Sequence, residues 1–165
     1  PGPEQSAALI YDTDAGMPVW WVKADNDEVR NVVSSHARLG AGAALAVENI
    51  ASYGMPVGAE TFGTCIWIGR FIERWRIAAV HIAPPARLDP ILVYRREVKL
   101  HLCGSARAKD PNVRQALIDR FGPGKDRAIG LKASPGPLYG LSGDGWAALG
   151  VAVTVADGAA QAVAA

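Results

Sequence analysis

Short apolar runs open the chain and give way to longer periodic stretches. AALIY at 7–11 and PVWWVK at 18–23 flank the turn cluster DTDAG, a pattern that predicts a β-hairpin. Asp25, followed three positions later by Glu28, predicts a capping box at a helix start. Val29, Val32, Val33 and His36 then recur at helical spacing, with Gly40 as the stop. AALAV at 43–47 is apolar throughout, which predicts a strand buried on both faces of a sheet, with Glu48 at its carboxyl end. A helix follows over 60–76. Phe62, Cys65, Ile66, Gly69 and Ile72 form one apolar stripe on it, and Trp67, Phe71 and Trp75 another. Two stripes imply burial on two sides in the core, or contact of the aromatic stripe with a second copy.

IAAVHI at 77–82 reads as a strand that Pro84-Pro85 terminates, because proline cannot continue a hydrogen-bond ladder. A helix is expected over 91–102. Asp110-Pro111 sets an N-cap before proline at the first helical position, so a further helix runs to Phe121 and stops at Gly122. Residues 122–145, rich in Gly, Pro, Ser and Lys, read as a loop. The last helix is expected to begin near Ser142, whose side chain can cap it, and to end in a frayed alanine-rich tail over 158–165. The element order predicts a mixed α/β domain, with helices packed on a sheet that is parallel after the hairpin.

With 165 residues, half of them hydrophobic, the chain can bury one sizeable core, and one domain over 1–157 is expected ahead of the tail. No apolar run is long enough to span a bilayer and no export signal opens the sequence, so a soluble protein with no membrane partner is expected. Cys65 and Cys103, each among apolar neighbours, read as buried free thiols and suit a reducing cytoplasm. The net charge of +1 hides an asymmetry: residues 95–132 carry ten Lys and Arg against four acids. Such a segment fits a polyanion surface, since neutralised phosphates release counterions; a solvated helical face is the alternative.

Two acids are poorly explained by their neighbours. Glu48 follows an apolar strand, where α/β folds collect ligands, and its charge must meet solvent, a base or a cation. Asp144 lies in the first turn of the last helix within LSGDGWAALGVAV, where it could complement the helix dipole or hold a metal. Oxygen ligands from separate elements are what Mg²⁺ or Mn²⁺ requires. His36, His81, and His101 with Cys103 lack the clustering of a zinc site and read as structural. Asp12 and Asp14 read as turn residues, and Ser142 as a cap with no nucleophile triad around it.

Four segments together resemble the RuvC-like crossover-junction nucleases, particularly the phage-type members. They are PGPEQSA (1–7), VENIASYGMPVGAETFGT (47–64), YRREVKLHLCGSARAKDPNVRQALIDRFG (94–122) and GPLYGLSGDGWAALGVAV (136–153), in the family's order over nearly the whole chain. The resemblance implies an RNase H-like fold with its first strand missing, and a Mg²⁺- or Mn²⁺-dependent endonuclease acting on branched or Holliday-junction DNA, as a possible homodimer. It implies Glu48 and Asp144 as metal ligands and catalytic carboxylates. It also implies Lys99 and Lys109 as DNA-handling residues, Lys109 counting with the catalytic set, while Arg95, Arg96, Arg107 and Lys132 of the same basic segment join them at phosphates. Two departures stand out. Bacterial relatives carry an Asp-x-x-Asp pair where this chain has Asp144 and Ala147. Relatives also have an aspartate immediately before Pro-Gly, whereas this sequence opens at Pro1, so a fragment lacking that carboxylate is expected. The chemistry uses it, because two-metal hydrolysis needs a carboxylate bridging ions about 4 Å apart. A non-catalytic branched-DNA-binding protein of the same fold, or an RNase H-like nuclease with an RNA substrate, are the alternatives.

Overall fold

The computed structural model describes residues 1–39, 42–52, 54, 56–80 and 89–164. Gly40, His81 and Pro84-Pro85, read above as a helix stop, a residue at a strand end and a strand terminator, lie outside the described residues. The architecture is mixed α/β, with small two-stranded sheets flanked by helices. The chain divides into two compact units, Pro1–Ala8 with Lys23–Tyr94 and Leu9–Val22 with Arg95–Ala165.

The expected hairpin forms. Its strands, β1 (Gln5–Asp12) and β2 (Met17–Asp25), pair as a sheet. The Asp12 carboxylate closes the turn by accepting the N–H groups of Asp14 and Ala15, both at 2.9 Å. The base of the hairpin belongs to the first unit and its tip to the second.

In the first unit α1 (Asn26–Ala37) buries Val29, Val33 and Ala37 along one stripe. The expected capping box is absent: Asp25 is the N-cap but makes no side-chain cap bond. Its carboxylate accepts instead from Gln5 Nε2 at 3.2 Å, and Asn26 ties down the helix start. The Asn26 N–H donates to the Glu4 carbonyl at 3.0 Å, its amide Nδ2 donates to the Gly2 carbonyl at 3.0 Å, and its Oδ1 accepts from the buried Ser6 hydroxyl. The incoming strand thus supplies partners that outcompete the local box.

Helix α2 (Ala59–Ala79) packs on α1 through Thr64, Ile68, Phe71, Trp75 and Ala79. This corrects the expected stripes. Only Phe71 and Trp75 of the named residues are buried, while Phe62, Cys65, Ile66 and Gly69 face outward. The helix also continues through residues 77–79, expected to open a strand, because the register 68–71–75–79 carries on and buries Ala79 completely.

The partner strand is supplied by ILVY instead. Strand β3 (Ala46–Asn49) pairs in parallel with β4 (Ile91–Tyr94), aligning Glu48 with Val93. Residues 91–94, expected as the first turn of a helix, are therefore a strand, as their β-branched and aromatic content favours. β3 starts later than expected and is only partly covered: Val47 is buried, Ala46 half-buried and Ala44 exposed.

The second unit is built on α3 (Arg95–Cys103), α4 (Asp110–Phe121) and α6 (Gly145–Ala164) around Val98, Val113, Leu117, Ile118, Leu149 and Val153, all within about 1% of full burial. At the α3–α6 crossing a Cβ on Gly150 would lie 2.9 Å from Val98 Cγ1, so glycine permits the close approach. The Tyr11 ring meets Phe121 edge-on at 6.5 Å, joining the hairpin tip to α4. The N-cap of α4 is Lys109 rather than Asp110, with Asn112 Oδ1 accepting the Lys109 N–H at 3.0 Å. Residues 122–145, expected as loop, hold α5 (Lys125–Ala128) and the antiparallel pair β5 (Gly130–Leu131) and β6 (Ser134–Pro135). Helix α6 begins three residues later than expected and continues through Ala164, so the alanine-rich tail is helical.

Candidate functional site

Glu48 stands within β3, not beyond its end, and is half-buried in the first unit. Asp144 belongs to the second unit and is exposed. It lies one residue ahead of α6 rather than in its first turn, since its carbonyl accepts the Ala148 N–H at 3.0 Å as the first helical bond. A carboxylate at this position faces the positive end of the helix dipole. Both are hard oxygen donors of the kind Mg²⁺ prefers. Among the described residues no three His, Cys, Asp or Glu side chains gather closely enough to hold a metal ion.

The basic residues separate into two groups. Arg95 and Lys99, one turn apart on α3, converge on Asp110 at the start of α4, with Nη2 to Oδ1 at 2.8 Å and Nζ to Oδ1 at 3.4 Å. The hydrogen bond from Arg95 holds the Asp110 carboxyl below its ordinary pKa, against a smaller opposing effect of burial, with Lys99 adding to the lowering. These two cations are thus already partly neutralised. Arg96, Arg107, Lys109 and Lys132 are exposed. Lys109 stands at the N-cap of α4, where Asn112 fixes its backbone.

Sequence reasoning missed a polar cluster on the same three helices. Arg120 of α4 grips Asp157 of α6 through two hydrogen bonds of 2.8 and 2.7 Å, and His101 Nε2 of α3 reaches the same carboxylate at 2.7 Å. The Arg120 bond lowers the Asp157 pKa most, with His101 adding to it and burial opposing; Asp157 in turn raises that of Arg120. A signal was available, since Asp157 is the sole charged residue between 145 and 164. Arg114 lies over the Trp146 ring at 4.8 Å, a second contact the spacing did not reveal.

The thiols correct an expectation: Cys65 is exposed on the outer side of α2, and Cys103 only half-buried. His36 is held on its own helix, its Nδ1 lying 2.9 Å from the Val32 carbonyl. Among the described residues no helix is long and apolar enough to cross a membrane. No protein-family model matches the sequence, and no curated protein matches it.

Proposed function

We propose that the chain is a Mg²⁺- or Mn²⁺-dependent nuclease of the RuvC-like, RNase H-like class that hydrolyses phosphodiester bonds in branched DNA. The observation that carries this reading is the sequence resemblance over four ordered segments, which assigns Glu48 and Asp144 as carboxylate ligands. Glu48 lies on the parallel-paired strand β3 of the first unit, and Asp144 one residue ahead of α6 in the second. Bound metal would activate water and steady the leaving oxygen. By the resemblance Glu48 and Asp144 would hold it, while Arg96, Arg107, Lys109 and Lys132 supply exposed charge for phosphates. Lys109 belongs with the catalytic set in this reading. The two free cysteines agree with a reducing, cytoplasmic setting.

Four-way-junction DNA nicking in Mg²⁺ or Mn²⁺ tests the proposal, using the protein as its gene encodes it. Cleavage is expected and should vanish in Glu48→Gln and Asp144→Asn; undiminished cutting by either variant refutes the assignment. Ala147, standing where bacterial relatives have a second aspartate, favours one alternative, a junction-binding protein without catalysis. Junction binding with no Mn²⁺ affinity by calorimetry would select it.

We infer further that the protein acts as a homodimer through the outer face of α2. Phe62 and Ile66 are 60% and 56% exposed there, and Ile77 and Val80 extend the apolar stripe. Two antiparallel copies related by an axis near residues 71–72 would set Ile66 against Ile77 and Arg70 against Glu73, a self-complementary pattern. Sedimentation velocity should show dimer for the parent chain and monomer for Ile66→Asp.

A further inference from the structure

Among the described residues the most exposed large apolar side chain is Leu131, at 75%. It occupies the second position of β5, beside a turn of only two residues, Lys132 and Ala133. The hairpin that carries it is firmly rooted. The Gly136 N–H donates to the Ile129 carbonyl at 2.9 Å and the Leu138 N–H to the Ala128 carbonyl at 2.8 Å, and Ala128 and Leu138 are buried at its base. Its backbone is so close that a Cβ on Gly130 would strike the Ser134 carbonyl, and one on Gly136 the carbonyls of Arg127 and Ala128. Gly130 also has φ +69°, which a side chain would strain. The short strands are thus a fixed projection rather than a floppy loop.

Charge decides what such a projection fits. Lys125 and Arg127 of α5 and Lys132 of the turn are exposed, against the single acid Asp126. Protein–protein interface cores are depleted in lysine, and a single leucine offers too little apolar area to hold a membrane surface. Nucleic acid suits both features, because cations neutralise phosphates while an apolar side chain inserted at a base step unstacks it. We propose that Leu131 is an apolar wedge that enters the base stack of branched DNA, with Lys125, Arg127 and Lys132 seated on the flanking phosphates. The inference rests on the branched-DNA reading and adds to it a contact surface outside Glu48 and Asp144.

The test uses the full chain in EDTA and a four-way junction carrying 2-aminopurine at the branch. Saturation with the parent protein should raise the fluorescence as the base unstacks. Leu131→Ala, an exposed substitution whose fold circular dichroism can verify, should cut that rise about fivefold or more while weakening binding by no more than about tenfold. Leu131→Met should preserve the rise. Lys132→Ala and Arg127→Ala should each lower the salt-dependence slope by about 1 and leave the rise at saturation intact. A Leu131→Ala protein that saturates the junction with an undiminished rise overturns the wedge and leaves the DNA reading standing. A parent chain that binds neither junction nor duplex overturns both.

Discussion

Asp157 is the residue on which the second unit's polar chemistry converges. It receives a two-pronged guanidinium from Arg120 and the His101 ring on a side chain only 22% exposed. Asp157→Asn should therefore lower stability by about 1–2 kcal/mol in urea melts near pH 7, a modest figure because Arg120 is partly solvated. The sign with pH follows from the direction of the shift. A carboxyl whose pKa falls on folding stabilises above its unfolded value near 4, and that contribution is lost as pH drops through the lower folded value. The gap between parent and variant should accordingly close in strong acid, which melts repeated near pH 2 would check. Asp110 makes a different prediction, since it holds Arg95 and Lys99 away from other anions. Asp110→Asn should steepen the salt dependence of DNA binding by about 1 to 2 in slope, read by fluorescence titration. At this scale the sequence identified the acids of interest by isolation, and it could do no more. Asp110 looked like a cap because its neighbour is proline, yet an arginine fifteen residues upstream claims its carboxylate.

Local periodicity revealed elements well where the pattern had one interpretation. The hairpin at 5–25, the helix over 26–37 and the helix ending at Phe121 were legible from turn residues, apolar spacing and glycine. The stretches that misled were short apolar runs, whose period cannot separate strand from helix. IAA at 77–79 prolongs α2 because Ala79 falls on its buried register, whereas ILVY pairs with β3, a decision made by a partner over forty residues away. For Glu48 the type of element was legible but its bounds were not, so it sits inside a strand rather than beyond one. Gly150 shows what packing adds: nothing in the spacing flags it, yet α3 and α6 cross over it. Gly150→Val should destabilise the protein by about 1–3 kcal/mol, seen as a lower melting temperature, because Val98 is fully buried and has nowhere to move.

Over the whole molecule, charge and connectivity divide differently. Ten of the seventeen Lys and Arg fall in 95–132, entirely within the second unit, while Glu48 belongs to the first. Phosphate contacts and the glutamate ligand are thus carried by separate parts of the chain in the proposed nuclease. Composition made the basic segment legible, but it could not indicate that the chain passes from one unit to the other three times, at 8–9, 22–23 and 94–95. That interleaving governs how the protein can be dissected. A gene cut after Tyr94 would give a downstream product without Leu9–Val22, leaving the Phe121 ring without Tyr11. Residues 95–165 alone should express as an unstable, protease-sensitive fragment that a synthetic 9–22 peptide rescues, whereas a fusion linking 9–22 to 95–165 should fold by itself.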